Sequence, residues 1–374
     1  MAYGTINADV IGTSVTGSNL GAGNASIMKN RIINGAMVID ARNAGASVTP
    51  NNTYTLDRWG TENSVTSKFT VQQNAGSVTP PVGFKNYLGV TSSSAYSSGA
   101  SDYFDICQRI EGYNVADLGW GTANAKTVTL SFWVYSSLTG TFSGALQATA
   151  AGRSYPFTYT VSSANTWTQA SITIAGDTSG TWNTTNGLGI QVCFDLGSGS
   201  NLRGTAGSWS SNWYIGATGS VSVVGTSGAT FYITGVQLEV GSSATGYEYR
   251  QYGQEFDLCR RYCEVFSGSA EQDNICAQMQ AQTDVNNRPE TRFIYYPKRA
   301  NPSVTLSSGT ALTWQSAANT NVAVTGFSGT LVGTSVTSAI CFFSVASGVT
   351  AGALSGTGYI SFNGSNKLTI DAEL

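Results

Sequence analysis

The sequence predicts an all-β chain, a β-sandwich followed by a short helix and a smaller β domain. The first observation behind this is a scarcity of charge. Only 10% of the 374 residues are charged. Ser, Thr, Asn and Gly stand in their place, a mixture that suits sheet surfaces and tight turns and lacks the Glu, Lys, Ala and Leu of long helices. The second is rhythm: up to residue 245, short apolar-polar alternations are broken about every ten residues by Gly, Asn or Ser, the spacing of a sandwich. The third is a single helical stripe, over Gln251 to Phe266, that interrupts this rhythm. With 41% hydrophobic residues the chain has material for a real core.

Residues 1–30 are small and polar, with Gly4, Gly12, Gly17, Gly21 and Gly23 and no sustained period. They read as an extended segment that gains order only against a partner, because it cannot bury enough apolar surface to offset its own ordering entropy. From Arg31 to Ala44 an apolar run through Ile32, Ile33, Ala36, Met37, Val38 and Ile39 predicts a strand entering the core. The clearest strand is Thr127 to Tyr135, where Val128, Leu130, Phe132 and Val134 share one face. Similar alternation at Ile172/Ile174, Ile190/Val192/Phe194 and Val236/Leu238/Val240, with turn material at 175–180, completes one sandwich over residues 31–245.

A helical connector is expected over 246–270. Leu258, Cys259, Tyr262, Val265 and Phe266 form its stripe, and Asp257/Arg261 and Arg260/Glu264 add opposite charges at i,i+4. So short a helix needs docking. Leu258, Tyr262, Val265 and Phe266 are therefore candidates to pack against other copies around a symmetry axis. Residues 271–374 read as a C-terminal β domain, from alternations at Val304/Leu306, Ile360/Phe362 and Leu368/Ile370/Ala372.

Composition also excludes functions. With no histidine in the chain, Ser-His-Asp and Cys-His catalysis and the zinc helix of metalloproteases are ruled out. A net charge of −3, from 18 Lys and Arg against 21 Asp and Glu, offers no footprint for nucleic acid. No apolar run approaches the ~18 residues of a membrane span. The six cysteines include no C-x-x-C pair and read as reduced thiols; Cys259 and Cys263 would need two distant thiolates to hold a metal, so no metal and no cofactor is expected. A glycosidase can work with two carboxylates alone. Of the acidic residues only Asp57, Asp102 and Asp105 lie near aromatic loops, and each has an ordinary reading: an ion pair with Arg58 at a strand edge for Asp57, a Ser/Gly turn for Asp102. The expectation is a protein that is not an enzyme.

The 8 Trp, 18 Tyr and 15 Phe carry more information. Trp59 and Trp167 adjoin strands and read as core or edge residues. Trp182, Trp209, Trp213 and Tyr214 lie in Gly/Ser/Asn-rich stretches. An exposed indole there stacks on the apolar face of a sugar ring, with neighbouring Asn and Asp bonding the hydroxyls. These four are the candidate glycan-binding residues.

Several motifs in order carry a resemblance: Asn30-Arg31-Ile32-Ile33-Asn34-Gly35-Ala36-Met37 with Asp40 and Arg42-Asn43-Ala44-Gly45, Tyr54-Thr55-Leu56-Asp57-Arg58-Trp59, Gln108-Arg109-Ile110-Glu111-Gly112, Ala125 to Val134, Tyr232 to Gly241, Tyr247-Glu248-Tyr249-Arg250 with Cys259-Arg260-Arg261-Tyr262, and Tyr296 to Val304. Over about residues 30–305 the chain resembles a family of bacteriophage tail-fibre and minor virion proteins. The resemblance implies a virion component made in the bacterial host cytoplasm, with a jelly-roll domain similar to carbohydrate-binding modules. It further implies a homotrimer around a fibre axis, a segment 1–30 that attaches to another virion protein, and host-surface glycan as the ligand of a tail-fibre or spike-type adhesin. A capsid decoration or head fibre without a receptor role, and a polysaccharide depolymerase, are the alternatives.

Overall fold

This computed structural model describes residues 28–148, 151–267, 279–280, 290–307, 312–316, 321–328, 335–345, 358–362 and 366–374. The chain divides into two compact units, Met1–Tyr252 and Gly253–Leu374.

The first unit is a β-sandwich of the jelly-roll kind. Its strands are β1 (Tyr54–Leu56), β2 (Trp59–Asn63), β3 (Phe69–Gln73), β4 (Leu88–Ser92), β5 (Phe104–Glu111), β6 (Val128–Ser136), β7 (Gly140–Ala148), β8 (Arg153–Val161), β9 (Thr168–Ile174), β10 (Leu188–Asp195), β11 (Arg203–Gly204), β12 (Gly216–Ala217) and β13 (Thr230–Val240). A six-stranded sheet runs in the order β1-β2-β5-β10-β7-β8 and a five-stranded sheet in the order β3-β4-β13-β6-β9, both antiparallel. The short β11-β12 pair is parallel.

Alternation sets the core between the sheets. Val128, Leu130, Phe132 and Val134 of β6 face Ile190, Val192 and Phe194 of β10, and Phe132 and Phe194 meet edge to face at 4.9 Å. Trp59 joins this core, with its indole N–H donated to Asn34 O. The alternations at 128–134, 172–174, 190–194 and 236–240 therefore fall in β6, β9, β10 and β13 as the sequence predicts.

The strand expected between Arg31 and Ala44 does not form. That stretch is irregular, with positive φ at Asn34, Met37 and Ala44, yet Ile32, Ile33, Met37 and Ile39 are buried. Side chains replace the missing ladder. Asn30 Oδ1 accepts the amides of Ile32 and Leu238, the Asn34 amide bonds Ile39 N and O and Asp57 O, and Gln108 brackets Ile33 N and O at 2.8 Å each. Asp57 and Arg58, expected as an ion pair at a strand edge, are likewise buried in the β1–β2 turn, where Asp57 Oδ2 accepts Ala41 N at 2.7 Å and Arg58 donates to Arg109 O. Of the expected attachment segment 1–30, residues 1–27 lie outside the described residues; Asn30 N is held by Glu248 Oε2 at 2.8 Å.

Helix α1 (Tyr252–Arg260) begins at the last residue of the first unit, and the second unit continues with β14 (Cys263–Ser267), β15 (Met279–Gln280), β16 (Glu290–Ile294), β17 (Ser303–Leu306), β18 (Leu312–Ser316), β19 (Asn321–Ser328), β20 (Ser338–Val345), β21 (Gly358–Phe362) and β22 (Lys367–Asp371). They form a three-stranded sheet, β14-β22-β17, and a six-stranded one, β15-β16-β20-β19-β18-β21.

The helix ends earlier than its stripe suggests. Val265 and Phe266, expected on a helical face with Leu258 and Tyr262, lie instead in β14, paired with Thr369 and Leu368. Cys263, Val265 and Phe266 are strand-forming residues, and pairing with β22 outweighs two further turns of helix. Tyr262 is fully buried within the chain, so it is not available to another copy, and Leu258, in α1, is half-buried. Arg260 bonds Glu264 at 2.6 Å as expected and also reaches Asp257 at 3.6 Å. Lys298, fully buried, donates to Glu264 Oε2 at 3.0 Å and to Arg260 O. Burial pushes the Lys298 pKa down against the opposing pull of Glu264. Burial pushes Glu264 up, but Lys298 and Arg260 together hold it below the usual carboxylate range.

Candidate functional site

The outer face of the six-stranded sheet is unusually polar. In β5, Phe104, Ile106 and Ile110 point into the sandwich core, so Asp105, Cys107 and Arg109 point outward. Register across β2, β5 and β10 aligns Glu62, Asp105 and Asp195 in one row, and Gly60, Cys107 and Cys193 in the next.

The row of carboxylates is unevenly compensated. Glu62 accepts from Arg109 and from Gln191 Nε2 at 2.9 Å, and Arg109 also reaches the Tyr54 hydroxyl at 3.1 Å. Asp195 pairs with Arg203 at 2.8 Å and accepts the amides of Gly197 and Ser198. Asp105, between them, is fully buried, and neither of its oxygens has a hydrogen-bond partner among the described residues. Burial drives its carboxyl well above the usual range, and Glu62, Cys107 and Asp195 push the same way while Arg109 opposes them.

The segment 200–217 crosses this face. Leu202 and Ile215 pack on the buried thiols Cys107 and Cys193, with Tyr103 beside them. Next to this lid is an open cleft of about 430 Å³ lined by Asn52, Glu62, Tyr103, Arg109, Leu202 and Trp213, with Ser101 and Ile215 at its sides. The Trp213 indole N–H has no protein acceptor among the described residues. The cleft therefore presents two aromatic rings and an apolar wall against an ion pair, the Asn52 amide and the Ser101 hydroxyl, a combination suited to a ligand with both C–H faces and hydroxyls.

The four aromatics singled out in the sequence separate here. Trp213 lines the cleft. Trp182 and Trp209 do not: with Trp120 they form a triad of T-shaped contacts, Trp120–Trp182 at 4.7 Å, Trp120–Trp209 at 5.3 Å and Trp182–Trp209 at 5.5 Å. Their indole N–H groups donate inward to Ser179 O and Ala175 O. Trp182 is 9% exposed. Small residues around an aromatic do not make it exposed, because Gly and Ser let a loop fold it back onto the sandwich, as the bonds to 175 and 179 do here. Tyr214 sits outside the cleft lining. Its ring lies where a Cβ on Gly204 would go, and its hydroxyl accepts from Asn212 at 2.9 Å. Asp102 is fixed in its turn by Gly99 N, then Tyr96 and Ser64, and these bonds lower its pKa.

Asn52, Glu62, Tyr103 and Arg109 were not singled out in the sequence. The signal for two of the outward groups was present: charged Asp105 and Arg109 share one face of a strand whose other face carries Phe104, Ile106 and Ile110, which marks an outer face with polar work to do.

No protein-family model matches the chain, and no curated protein matches it. Among solved structures the chain is similar to the enzymatically active domain of tailspike protein 4 from bacteriophage CBA120, at 12% identity over 57% of this chain and 22% of that one, TM-score 0.31. It is also similar to a putative sugar-binding protein from Bacteroides thetaiotaomicron, at 14% identity over 57% of this chain and 100% of that one, TM-score 0.36. A third is a family 11 carbohydrate-binding module from Clostridium thermocellum in complex with a mixed-linked tetrasaccharide, at 11% identity over 54% and 98%, TM-score 0.28. The chain spans about a fifth of the tailspike domain.

Proposed function

We propose that the protein is a glycan-binding virion component, a tail-fibre or spike-type adhesin that assembles as a trimer, attaches to the particle through residues 1–30 and holds host-surface glycan in the Trp213 cleft. The observation that carries the reading is the cleft itself, with Trp213 and Tyr103 beside the Glu62–Arg109–Gln191 network. The motifs from Asn30 to Val304 support the virion setting, and low charge with dense β-pairing suits a particle surface.

The same geometry argues for binding without hydrolysis. Two-carboxylate hydrolysis needs both groups in reach of the glycosidic oxygen. Asp105 is fully buried, and Glu62 is committed to Arg109 and Gln191.

The test is binding of purified protein to an array of bacterial surface polysaccharides, with Trp213→Ala and Trp182→Ala compared. Saturable binding by the native protein is expected, weakened about 30-fold or more by Trp213→Ala, the ~2 kcal/mol of an aromatic hot spot. Trp182→Ala is expected to lower thermal stability, as a truncated core aromatic does, with residual folded protein still binding. Equal binding by Trp213→Ala at unchanged circular dichroism would remove the cleft from consideration.

A further inference from the structure

A second depression, of about 670 Å³, lies beside the cleft. Two short stretches of backbone separate them. Ser101 and Leu202 line the cleft, and their chain neighbours Ala100 and Arg203 line the second depression. The stretches are tied together by Asn201 N to Ala100 O at 2.9 Å, Asn201 Nδ2 to Ser101 Oγ at 3.0 Å and Gly199 N to Asp102 O at 2.7 Å. A side chain at Gly199 would collide with the backbone of Gly99 and Ala100, so glycine there is what lets the two stretches close into a thin ridge.

The chemistry on the far side differs from that of the cleft. Its wall is made of hydroxyls and backbone, with Ser97, Ser200 and Thr218 exposed. Arg203 is committed, with Nε on Asp195 Oδ2 at 2.9 Å and Nη1 on Ser220 O at 3.1 Å. The Tyr96 hydroxyl is committed to Asp102 at 2.9 Å, and Lys68 Nζ lies 4.6 Å from the Tyr96 ring centroid. A wall whose charge is already neutralised and whose open groups are hydroxyls matches an uncharged polyhydroxylated ligand better than an anion.

We infer that the cleft and this depression are neighbouring subsites for one glycan chain that crosses the ridge at Ser101 and Leu202, so that the ligand is an internal run of an uncharged polysaccharide rather than a terminal sugar. The inference rests on the glycan reading of the cleft and adds the second subsite to it. In the cleft, sugar rings stack on aromatic faces. Across the ridge, the following sugars exchange hydroxyl bonds with water for bonds with Ser97 and Ser200, and with the Thr218 oxygen as an acceptor, since its proton is donated to Arg203 O at 3.4 Å. Affinity then grows with chain length until both sides of the ridge are filled.

The experiment takes a polysaccharide that the native protein binds on the array, cuts it to fragments of one, two, three and four repeating units, and measures each by isothermal titration calorimetry. The native protein is expected to gain at least tenfold in affinity between the shortest fragment and a plateau. Ser200→Leu and Thr218→Leu, which fill the second depression from exposed positions with alkyl side chains that neither stack on a sugar nor bond its hydroxyls, are expected to bind the shortest fragment as the native protein does and to lose the gain. Affinity independent of length, or a full gain in both filled variants, overturns the inference and leaves the cleft reading standing. Equal binding of the shortest fragment by Trp213→Ala and native protein overturns the cleft reading, and a native protein that binds nothing on the array overturns both.

Discussion

Asp105 sits in an environment that opposes its charged form. It stands between Glu62 and Asp195, fully buried and without a hydrogen bond on either oxygen from any described residue. Its carboxyl is therefore raised well above the usual range, by burial first and by the neighbouring carboxylates second. The folded state keeps this proton to higher pH than the unfolded chain, so between the two pKa values the folded chain holds more protons. Stability then falls as pH rises through that window. Asp105→Asn removes the ionisation at almost constant shape. The variant is expected to melt above the native protein at pH 7.5, with the difference shrinking as the pH is lowered toward 4. Thermal denaturation of the two proteins across that range checks it, and a difference that does not change with pH would mean that Asp105 ionises alike in both states.

At the scale of elements, the sequence was most legible where one periodicity answered to one environment. The strand β6 has a core on one side and hydroxyls and aromatics on the other, so its alternation could be read directly. The end of α1 was not legible, because Val265 and Phe266 fit a helical stripe and a strand equally well, and only pairing with β22 decides between them. The entry segment was misread for a different reason. Its apolar run is buried, but its backbone is served by side chains that come from elsewhere, Gln108 from β5 above all. Gln108→Leu is expected to cost about 3 kcal/mol, since it leaves the amide and carbonyl of buried Ile33 without partners at roughly 1–3 kcal/mol for each group. Urea denaturation measures it, and a loss under about 1 kcal/mol would show that the segment rests on its apolar side chains instead. The cleft was the least legible part. Trp213 could be named from its loop, whereas Asn52, Glu62, Tyr103 and Arg109 are brought beside it only by the order β1-β2-β5-β10 and by the chain from 200 to 217, which carries Trp213, crossing the outer face of that sheet.

At the scale of the whole molecule, each unit completes its own sheets, β1 to β13 in the first and β14 to β22 in the second. The cleft belongs wholly to the first unit, whose sandwich core is built from its own strands. A shallow site of this kind gives modest affinity per copy, and an adhesin gains its hold by joining copies, which converts later binding events into intramolecular ones. The proposal of a trimer thus makes a quantitative demand that separates site from assembly. Residues 28–252 alone and the full chain should bind a short soluble fragment with the same affinity, because the site is identical. On a surface densely coated with the parent polysaccharide the full chain should bind tighter by about 100-fold or more, the scale that linkage of sites provides. Surface plasmon resonance compares the two proteins, with light scattering after gel filtration giving the copy number of each. If the full chain were three copies in solution yet bound the coated surface no better than the sandwich alone, its clefts could not engage one surface together, and the decoration reading would replace the adhesin.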